Sequence, residues 1–598
     1  MRRKYFGRRA GNEITACVRT ELEVEMTSSV AYRSLKGSDH PHPADHKKLR
    51  RTSGSEEVTV TLLLRRKPGH TAMQPQHMLA GAPRPTREAF ASQRGADPKE
   101  LDAVAAFAKD NGMKVLETDA ARRSVIVRGP ADAVNKAFNV ELNEYEYERG
   151  TYRSHDGKVK LPSTVADYVE AVVGLTNRQV HAQHFSTARR HGGRALGKES
   201  NARSRGAAKD PANTRPLTPA QVAALYGFPE GDGAGQTIGL YEMETNEGPA
   251  GYDPSDITAT MRALGDLPMP QIVDVAVDGV QNSGQSDGET GLDITVAGAI
   301  APKAKIAVYF AGGETQNIIH ALQKMIHPNA GDPVPSIISI SYGWGPDDRG
   351  TPSFSDAEFA QITGLFEDAA TNKITVLVSS GDSGAQIASR TQAQTSYPAS
   401  DVWVTACGGT TIGNVNGSSF DEYVWNDIGG AGPGATGGGV SARFEVPDYQ
   451  KSVSVPPRVH TGEHGRGVPD IAGNASENSG YLQVIGGRPP ESVGGTSAVA
   501  PLYAGLMARI NANLGHPAGF LNSTLYSLPA VTFRDILGAP GPANNSFGRV
   551  QGYNAGPGWD ACTGLGSVHG QALQSALGGA GPGMVAAAPA PKAPAAAD

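Results

Sequence analysis

Cysteine is scarce in this chain of 598 residues, which contains only Cys17, Cys407 and Cys562. Three thiols exclude a disulfide scaffold and allow one disulfide at most. No run of eighteen apolar residues is present, which excludes a membrane-spanning helix. The 74 glycines follow no Gly-X-Y period, which excludes collagen. Charged residues (19%) are too few for a disordered chain, hydrophobic residues (39%) suffice for a sizeable core, and the length predicts at least two domains.

The net charge of −6 hides two oppositely charged parts. Residues 1–207 carry 36 Lys and Arg against 24 Asp and Glu, a net +12, whereas residues 208–598 carry 18 against 36, a net −18. Two hypotheses follow: two independently solvated domains, or a basic part that packs on an acidic one and is released when acid protonates the acidic part. Nucleic-acid binding ranks lower, because no aromatic-basic motif accompanies the basic part.

The basic part is predicted to contain an extension and a small domain. Residues 1–52 are polar and basic without periodicity, so we expect a flexible extension, and no apolar segment follows Met1-Arg-Arg-Lys4 to complete a secretory signal. Residues 53–180 show the order β-α-β-β-α-β, which is typical of a ferredoxin-like α+β domain. The predicted elements are strands at 58–62, 114–118, 124–127 and around 140–152, and helices at 98–111 and 131–138.

The remaining sequence divides into a linker, a large domain and a tail. Residues 181–212 carry seven Lys and Arg among Gly, Ala, Ser and Asn, and predict an exposed, cleavable basic linker. Residues 213–577 alternate strand and helix patterns, which indicates a parallel sheet covered by helices on both faces. Residues 578–598 are rich in Ala and Pro and are expected to be disordered.

The strongest local motif is Gly494-Gly-Thr-Ser-Ala-Val-Ala-Pro501, which opens an apolar helical run. A serine at a helix N-terminus, preceded by glycines, has room for a substrate and lies in the positive end of the helix dipole. A lone Gly-Thr-Ser is more often a helix cap. The full octapeptide is far more specific, because it resembles the Gly-Thr-Ser…Pro frame in which subtilisin-like and sedolisin peptidases place their nucleophile. This resemblance makes Ser497 the candidate nucleophile of a peptidase.

The base that would activate Ser497 is not a histidine. His320 and His327 lie in a predicted amphipathic helix and His460 and His464 in a polar loop, so core or surface positions are the better interpretation for all four. A subtilisin-like triad, which needs a histidine base, is thereby disfavoured.

Two carboxylates offer an alternative base. Glu289 and Asp293 are four residues apart in a helical pattern and share one helix face. Acids at this spacing usually mark a solvated face, but apolar neighbours favour burial here. Like charges held together raise one pKa, so such a pair can share a proton.

These residues resemble the sedolisin family of serine-carboxyl peptidases. The matching motifs are Glu289…Asp293, Ser379-Ser-Gly-Asp382, Tyr397-Pro-Ala-Ser400, Gly494-Gly-Thr-Ser497 and Ala555-Gly-Pro-Gly-Trp-Asp560. The resemblance covers most of the chain. It implies a subtilisin-like α/β catalytic domain with a parallel sheet flanked by helices, preceded by a cleavable α+β propeptide. It also implies an acidic working pH and an extracellular location.

The resemblance also implies a role for each catalytic residue. Ser497 is the nucleophile, Glu289 its general base, and Asp293 orients Glu289 and shares its proton. Asp382 is the oxyanion-hole donor, which requires it to be protonated, because an ionised carboxylate cannot donate a hydrogen bond. Without the resemblance, Asp382 would be read as an ordinary turn aspartate.

Three further residues are expected to extend this network. Glu242 matches an additional acid of the family, with Glu244 as a rival. The family usually has Trp directly after Ser-Ile-Ser, whereas here Tyr342 follows Ser341 and Trp344 comes two residues later. A phenol can donate or accept and an indole N–H can only donate, so either residue could close the network.

A calcium site is implied near the C-terminus. The expected Ca²⁺ ligands are the carboxylates of Asp535 and Asp560 and the carbonyls of Ile536, Gly556 and Gly558. Carboxylates and backbone carbonyls are the hard oxygen ligands that Ca²⁺ prefers. We expect a single structural ion.

The sequence therefore predicts an acid-acting serine-type endopeptidase made as a self-processing zymogen, which forms an acyl-enzyme on Ser497. A tripeptidyl peptidase of the same family is the alternative within enzymes, and a catalytically silent binding scaffold is the alternative outside them. The expected partners are protein or peptide substrates and the propeptide as an intramolecular inhibitor. We expect a monomer that binds neither nucleic acid nor membrane.

Overall fold

The computed structural model describes residues 31–70, 73, 75, 84–148, 150–180, 186–187, 213–245, 248–346, 353–387, 389, 391–428, 433–538 and 541–579. The predicted extension up to residue 30, most of the predicted linker and the tail beyond residue 579 lie outside these residues. Within them, no helix combines the length and apolar character needed to cross a bilayer.

The N-terminal part contains ten strands and three helices in the residues described. The strands are β1 (Tyr32–Ser34), β2 (Lys47–Arg51), β3 (Glu57–Leu64), β4 (Lys114–Asp119), β5 (Ser124–Pro130), β6 (Leu142–Tyr147), β7 (Gly150–His155), β8 (Lys160–Pro162), β9 (Val169–Val173) and β10 (Ser186–Thr187). The helices are α1 (Arg87–Arg94), α2 (Pro98–Asp110) and α3 (Ala131–Phe138).

Four of these strands form the predicted ferredoxin-like sheet, in the order β4-β5-β3-β9. The helix α2 starts at the N-cap Asp97, whose side chain accepts a hydrogen bond from the Lys99 N–H, and it buries Leu101 and Val104 against the sheet. The prediction for the last strand is wrong. The fourth strand is β9, and residues 140–152 instead enter the separate hairpin β6-β7, which is inserted before β9.

The prediction of a flexible extension over 1–52 is also wrong for its described part. β2 pairs with β6 to complete a three-stranded sheet, and β1 pairs with β8. Every residue of β1 and β2 is exposed. These strands therefore carry no hydrophobic alternation, and their sequence gives no strand signal.

The C-terminal part is built around a long, mostly parallel sheet. The strands of the C-terminal part, not all of which belong to this sheet, are β11 (Thr237–Met243), β12 (Gln271–Ala276), β13 (Lys305–Ala311), β14 (Ile337–Ile340), β15 (Thr375–Ser379), β16 (Thr405–Asn416), β17 (Ser419–Val424), β18 (Gly439–Val440), β19 (Gly467–Val468), β20 (Ile471–Asn474), β21 (Tyr481–Gln483), β22 (Glu491–Gly494), β23 (Phe533–Arg534) and β24 (Ser567–Val568). Its helices are α4 (Pro219–Leu225), α5 (Pro254–Ala263), α6 (Glu289–Ile300), α7 (Thr315–Ile326), α8 (Asp356–Thr371), α9 (Val499–Leu514), α10 (Asn522–Leu525) and α11 (Gly570–Leu577).

The order of the large sheet is β12-β13-β11-β14-β15-β16-β20-β24-β23, and every neighbouring pair up to β24 is parallel. All four residues of β14 are buried, as expected for a strand covered on both faces. α6 and α9 pack together against the sheet, and α7 and α8 form a second helical pair. The predicted α/β architecture, a parallel sheet flanked by helices, is confirmed.

The N-terminal part packs on α7 and α8 through its basic residues. Arg66 forms an ion pair with Asp368 at 2.5 Å and a second one with Glu367 at 3.4 Å, and Arg94 also pairs with Glu367. His40 Nδ1 lies 3.1 Å from Glu358 Oε2 in a buried contact. Opposite charges therefore meet at this interface, as the hypothesis of a basic part packed on an acidic part requires.

Candidate active site

The first turn of α6 places two acids in the protein interior. Glu289 is the first residue of this helix and is 5% exposed, and Asp293 follows one turn later and is fully buried. The helix can approach β21 closely because residue 291 is glycine: a Cβ there would lie 2.5 Å from Gln483 Nε2. Gln483 also donates a 2.8 Å hydrogen bond to the Gly288 carbonyl, which fixes the start of the helix.

Ser497 lies in a single 3₁₀ turn, Thr496–Ala498, that leads from β22 into α9. The turn begins at Gly495, whose φ of +102° favours glycine. A Cβ at Gly495 would also lie 2.4 Å from Asp382 Oδ2. The second glycine of the motif is therefore required both by its backbone conformation and by the close approach of Asp382.

The Ser497 hydroxyl lies between the backbone of Ser341 and the carboxyl group of Glu289. It donates to the Ser341 carbonyl at 3.3 Å, and it is close enough to Glu289 to favour that residue's ionised form. Neither oxygen of Glu289 receives a well-aligned hydrogen bond from a described residue. A rotation of the Ser497 side chain would therefore give its proton an acceptor in Glu289.

Asp293 is held by Ser341. The Ser341 Oγ lies 2.9 Å from Asp293 Oδ1 and 2.8 Å from Oδ2, and 3.2 Å from the Ser497 carbonyl. Burial raises the pKa of Glu289, Asp293 and Glu242 well above the usual values. The charge of Asp293 raises the pKa of Glu289 and Glu242 further, so these three carboxyl groups do not all ionise at once.

Asp382 follows β15 and faces the turn that carries Ser497. Its Oδ1 accepts hydrogen bonds from the Thr496 N–H and from Thr496 Oγ1, both at 2.8 Å. Its Oδ2 has no partner among the described residues although it is buried. Burial raises the pKa of Asp382 to about 6, against the effect of both Thr496 donors. A neutral Asp382 therefore has one free O–H beside the nucleophile.

The contacts of the other candidate residues show which of them join the carboxyl network. Glu242 is fully buried on β11, and its Oε2 accepts a 3.0 Å hydrogen bond from the Tyr342 hydroxyl. Glu244 is only half-buried and lies outside this cluster. The indole N–H of Trp344 has no acceptor among the described residues, and its ring packs edge-on against Tyr241. The geometry thus places Tyr342, and not Trp344, on the carboxyl network.

The sequence does not identify Ser341 and Thr496 as residues of the site, and it does not show that the N-terminal part covers His320 and His327. Ser341 and Thr496, which hold Asp293 and Asp382, both lie inside motifs that had been recognised, so the signal was present. His320 is buried beneath the N-terminal part, with its Nε2 2.8 Å from Thr61 Oγ1. His327 is likewise buried there, whereas His460 is exposed.

The five predicted metal ligands lie around one loop. The carboxylate of Asp560 accepts from the Gly556 N–H at 3.2 Å, and that of Asp535 accepts from the Gly558 N–H at 3.0 Å. Among the described residues, no hydrogen bond occupies the carbonyl oxygens of Ile536, Gly556 or Gly558. This set of hard oxygen atoms suits Ca²⁺. In the described part of the chain, no group of three or more His, Cys, Asp or Glu side chains is arranged to hold a metal ion by itself, so the backbone carbonyls are an essential part of the proposed ligand set.

The chain that leaves the N-terminal part contacts the site region twice. The Val180 N–H donates to the Gly313 carbonyl at 2.8 Å. Further along, the backbone of β10 pairs antiparallel with β22, with Ser186 opposite Gly494. Gly494 lies three residues before Ser497, so residues 186–187 pair with the strand that leads to the candidate nucleophile.

Comparisons with known proteins find two family models and several relatives. Residues 44–178 match the family model "Pro-kumamolisin, activation domain", and residues 278–536 match the model "Subtilase family". The chain is 42% identical to kumamolisin of Bacillus sp. (strain MN-32) over 541 residues, which cover 88% of this chain and 92% of that protein. It is 28% identical to tripeptidyl-peptidase sed5 of Aspergillus fumigatus over 592 residues, which cover 90% and 96% of the two chains.

The fold is similar to that of Pseudomonas sedolisin, a serine-carboxyl proteinase solved in complex with two molecules of pseudo-iodotyrostatin. That comparison has a TM-score of 0.52 at 26% identity, and covers 61% of this chain and 98% of the other.

Proposed function

Because this chain belongs to the sedolisin family, and is a self-processing serine-carboxyl peptidase, we propose that it works in acid as an endopeptidase. The observation that carries the proposal is the convergence of Ser497, Glu289, Asp293 and Asp382, with the unpartnered Asp382 Oδ2 beside the nucleophile. An oxyanion donor of this kind works only while it is protonated.

The geometry supports a two-step acyl transfer. Ser497 Oγ attacks the peptide carbonyl while its proton passes to Glu289, and the Asp382 O–H donates to the developing oxyanion. Glu289 then gives the proton to the leaving amine. A water molecule enters, loses its proton to Glu289 and attacks the acyl-enzyme, after which Ser497 recovers its hydrogen. Asp293 holds Glu289 and buffers its charge throughout.

Contacts of the described residues 180 and 186–187 are compatible with endopeptidase action. Val180 contacts Gly313, and β10 pairs with the strand that precedes Ser497, so the segment beside the nucleophile accepts residues of an internal stretch of chain. A tripeptidyl peptidase, which releases tripeptides from the N-terminus of its substrate, needs a substrate cleft that is closed at one end. The relatives named tripeptidyl-peptidase keep that activity as the second candidate. Products from a substrate with a blocked N-terminus separate the two, since only an endopeptidase cleaves it.

The direct test is to acidify the purified full-length chain and follow its mass and N-terminus with time. We expect loss of the activation domain, a new N-terminus within residues 181–212, and peptide hydrolysis that rises as the fragment is lost. A chain that stays intact and inactive between about pH 3 and pH 5 would overturn the proposal. An extracellular location is part of the proposal, because a peptidase active in acid is suited to an acidic medium outside the cell.

Release of the activation domain is expected to depend on histidine protonation at its interface. Burial lowers the pKa of His155 to about 4, and the nearby charges of His40 and His42 act in the same direction. Glu358 on α8 opposes them. The pKa of Glu358 is itself lowered: burial raises it, but the charge and hydrogen bond of His40 and the hydrogen bonds from Ser355 together outweigh that effect. The part of this pKa shift that docking causes destabilises the docked state as pH falls from about 6.5 to about 4. It contributes at most about 3 kcal/mol, because His155 also pairs with Leu142 inside its own domain.

The ion pair of Arg66 with Asp368 does not respond in this range. Burial raises the pKa of Asp368, but Arg66 and His327 hold it at about 2. We therefore expect the full-length Ser497→Ala chain, which cannot cut itself, to lose hydrogen-exchange protection in α8 between pH 6.5 and 4. His155→Gln should move that loss to lower pH, and His516→Gln, a histidine outside the interface, should not. An unshifted profile in His155→Gln would refute the histidine trigger.

We also propose one structural Ca²⁺ held by Asp535 and Asp560 with the carbonyls of Ile536, Gly556 and Gly558. Bound Ca²⁺ would supply a charge that brings these oxygens together and braces the loop. At a concentration 100 times its Kd, such an ion stabilises the fold by about 2.7 kcal/mol. We expect a chelator to lower the melting temperature of the wild-type protein by about 5 °C. Asp535→Ala should melt at the lower temperature with or without chelator, and a wild-type curve insensitive to chelator would exclude the site.

A further inference from the structure

Thr290 joins two carboxylates that the mechanism above does not connect. It is the second residue of α6 and is fully buried. Its Oγ1 lies 2.9 Å from Asp287 Oδ2 and 3.2 Å from Glu242 Oε2, so either carboxylate can accept its hydrogen bond. A hydroxyl has one hydrogen, so the two carboxylates compete for it.

Asp287 is the surface end of this link. The residue is exposed, but its carboxylate is anchored, because Oδ1 accepts from the Thr290 N–H and Oδ2 accepts from the Gly251 N–H, both at 2.9 Å. Partial enclosure of the carboxylate raises the pKa of Asp287, and these hydrogen bonds oppose that effect. The Thr290 bridge keeps Asp287 Oδ2 within about 6 Å of Glu242 Oε2.

Glu242 is the buried end. Its Oε2 accepts from both Tyr342 and Thr290, whereas its Oε1 has no partner among the described residues. An oxygen that accepts two donors is not the protonated one, so a proton on Glu242 resides on Oε1. The hydroxyl groups of Thr290 and Tyr342 therefore both act on Oε2 of Glu242 and leave Oε1 as the oxygen that can carry a proton.

We propose that Asp287 and Thr290 are positioning residues that adjust the protonation of the catalytic carboxyl network from the surface. Thr290 connects Asp287 to Glu242. The charge of Asp287 sets the pH below which Glu289 is protonated and can no longer act as a base. This proposal rests on the proposed role of Glu289 as general base. Asp287 touches no reacting atom and acts only through its charge and through Thr290.

The direction of the effect follows from the charges around the link. The titratable groups that face Asp287 and Thr290 are Glu242 of β11, Glu289 and Asp293 of α6, and Tyr342 after β14; Asp256 of α5 is engaged by Ser286. An ionised Asp287 raises the pKa of Glu242 and Asp293, and the Thr290 hydroxyl lowers that of Glu242. The charge of Asp287 and the hydroxyl of Thr290 thus act in opposite senses on the same group.

The test is the pH profile of kcat/KM of the processed enzyme. Its acid limb reports the proton that Glu289 must lose, and its alkaline limb the proton that Asp382 must keep. Asp287→Asn keeps the shape and removes the charge, so we expect the acid limb to move down by about one pH unit with the alkaline limb unchanged. Asp266→Asn, an exposed carboxylate elsewhere, should move neither limb.

Thr290 is tested in the Asp287→Asn background, where the charge no longer complicates its effect. Adding Thr290→Val should move the acid limb back up, and adding Thr290→Ser, which restores the hydroxyl, should not. An acid limb unmoved by Asp287→Asn, or a fall in kcat without any shift, would overturn the proposal. Thr290→Val in the wild-type background covers the case of an Asp287 variant that does not fold, since an unaltered limb there also refutes the link. A wild type that cleaves peptides keeps the proposed function standing in either case.

Discussion

Ser497→Ala is expected to lower kcat by about 10⁶-fold and to leave the full-length chain uncut in acid. The expectation follows from the position of Ser497, buried in the turn before α9 with its hydroxyl beside Glu289. Ser341, which also faces the site, cannot replace it, because its hydroxyl is occupied by Asp293. Loss of the nucleophile leaves only the oxyanion hole and substrate binding to accelerate the reaction.

The measurement combines peptide hydrolysis with the mass of the chain after acidification. Ser575→Ala, on the distant helix α11, is the matched control and should process and cleave normally. Adding a small amount of active enzyme to the Ser497→Ala chain shows whether the linker can be cut in trans. Hydrolysis at more than about a thousandth of the wild-type rate by Ser497→Ala would contradict the assignment of the nucleophile.

Local sequence patterns suffice to name the candidates of the site but not to join them. Glu289 and Asp293 share one helical turn, and Ser497 lies in one recognisable octapeptide, so each can be found within a few residues. The contacts of Asp293 with Ser341 and of Asp382 with Thr496 span 48 and 114 residues. Such contacts follow from the order of strands in the sheet, which no local pattern reports.

The errors in the fold prediction have a similar origin. Residues 140–152 and β9 both have the alternation of a strand, and only pairing along the chain shows that β9 adds to β3 while β6 and β7 form their own hairpin. The strand β2 is fully exposed, and its stability comes from hydrogen bonds to β6, which leave no mark on residue types.

The opposite net charges of the two parts of the chain are accompanied by ion pairs at the interface between them. Arg66 and Arg94 meet Glu367 and Asp368, as an attraction between the two parts requires. The expected acid response, however, does not reside in the carboxylate of Asp368, because its pKa is held at about 2. Burial lowers the pKa of His155 in the basic part to about 4, so we expect the pH sensitivity to lie on the opposite side of the interface from the one that the sequence suggests.

Asp382→Asn is expected to remain active at pH values where the wild type fails, whereas Asp382→Ala should lose about 10²–10³ in kcat at the acidic pH values where the wild type is active. Asp382 is needed with its proton, and burial raises its pKa to about 6, so wild-type activity should fall as pH rises through that value. An amide needs no proton to donate. Replacement by Asn therefore removes this alkaline limb.

The contacts of Asp382 determine how the amide group of the Asp382→Asn variant is oriented. Oδ1 accepts both donors of Thr496, so in the Asp382→Asn variant the amide oxygen is drawn to that side and the NH₂ group takes the place of the unpartnered Oδ2. The close approach of Gly495 leaves room for a group of the same shape and no larger.

The decisive measurement is kcat against pH for wild type, Asp382→Asn and Asp382→Ala on one substrate. If Asp382 had only a structural role in the turn, Asn would behave as the wild type or as Ala at every pH, and the alkaline limb would stay in place. If Asp382 is the oxyanion donor, the ratio of Asn to wild type must grow about tenfold for each pH unit above about 6, because the protonated fraction of the wild-type acid falls by that factor. A ratio independent of pH would remove Asp382 from the mechanism.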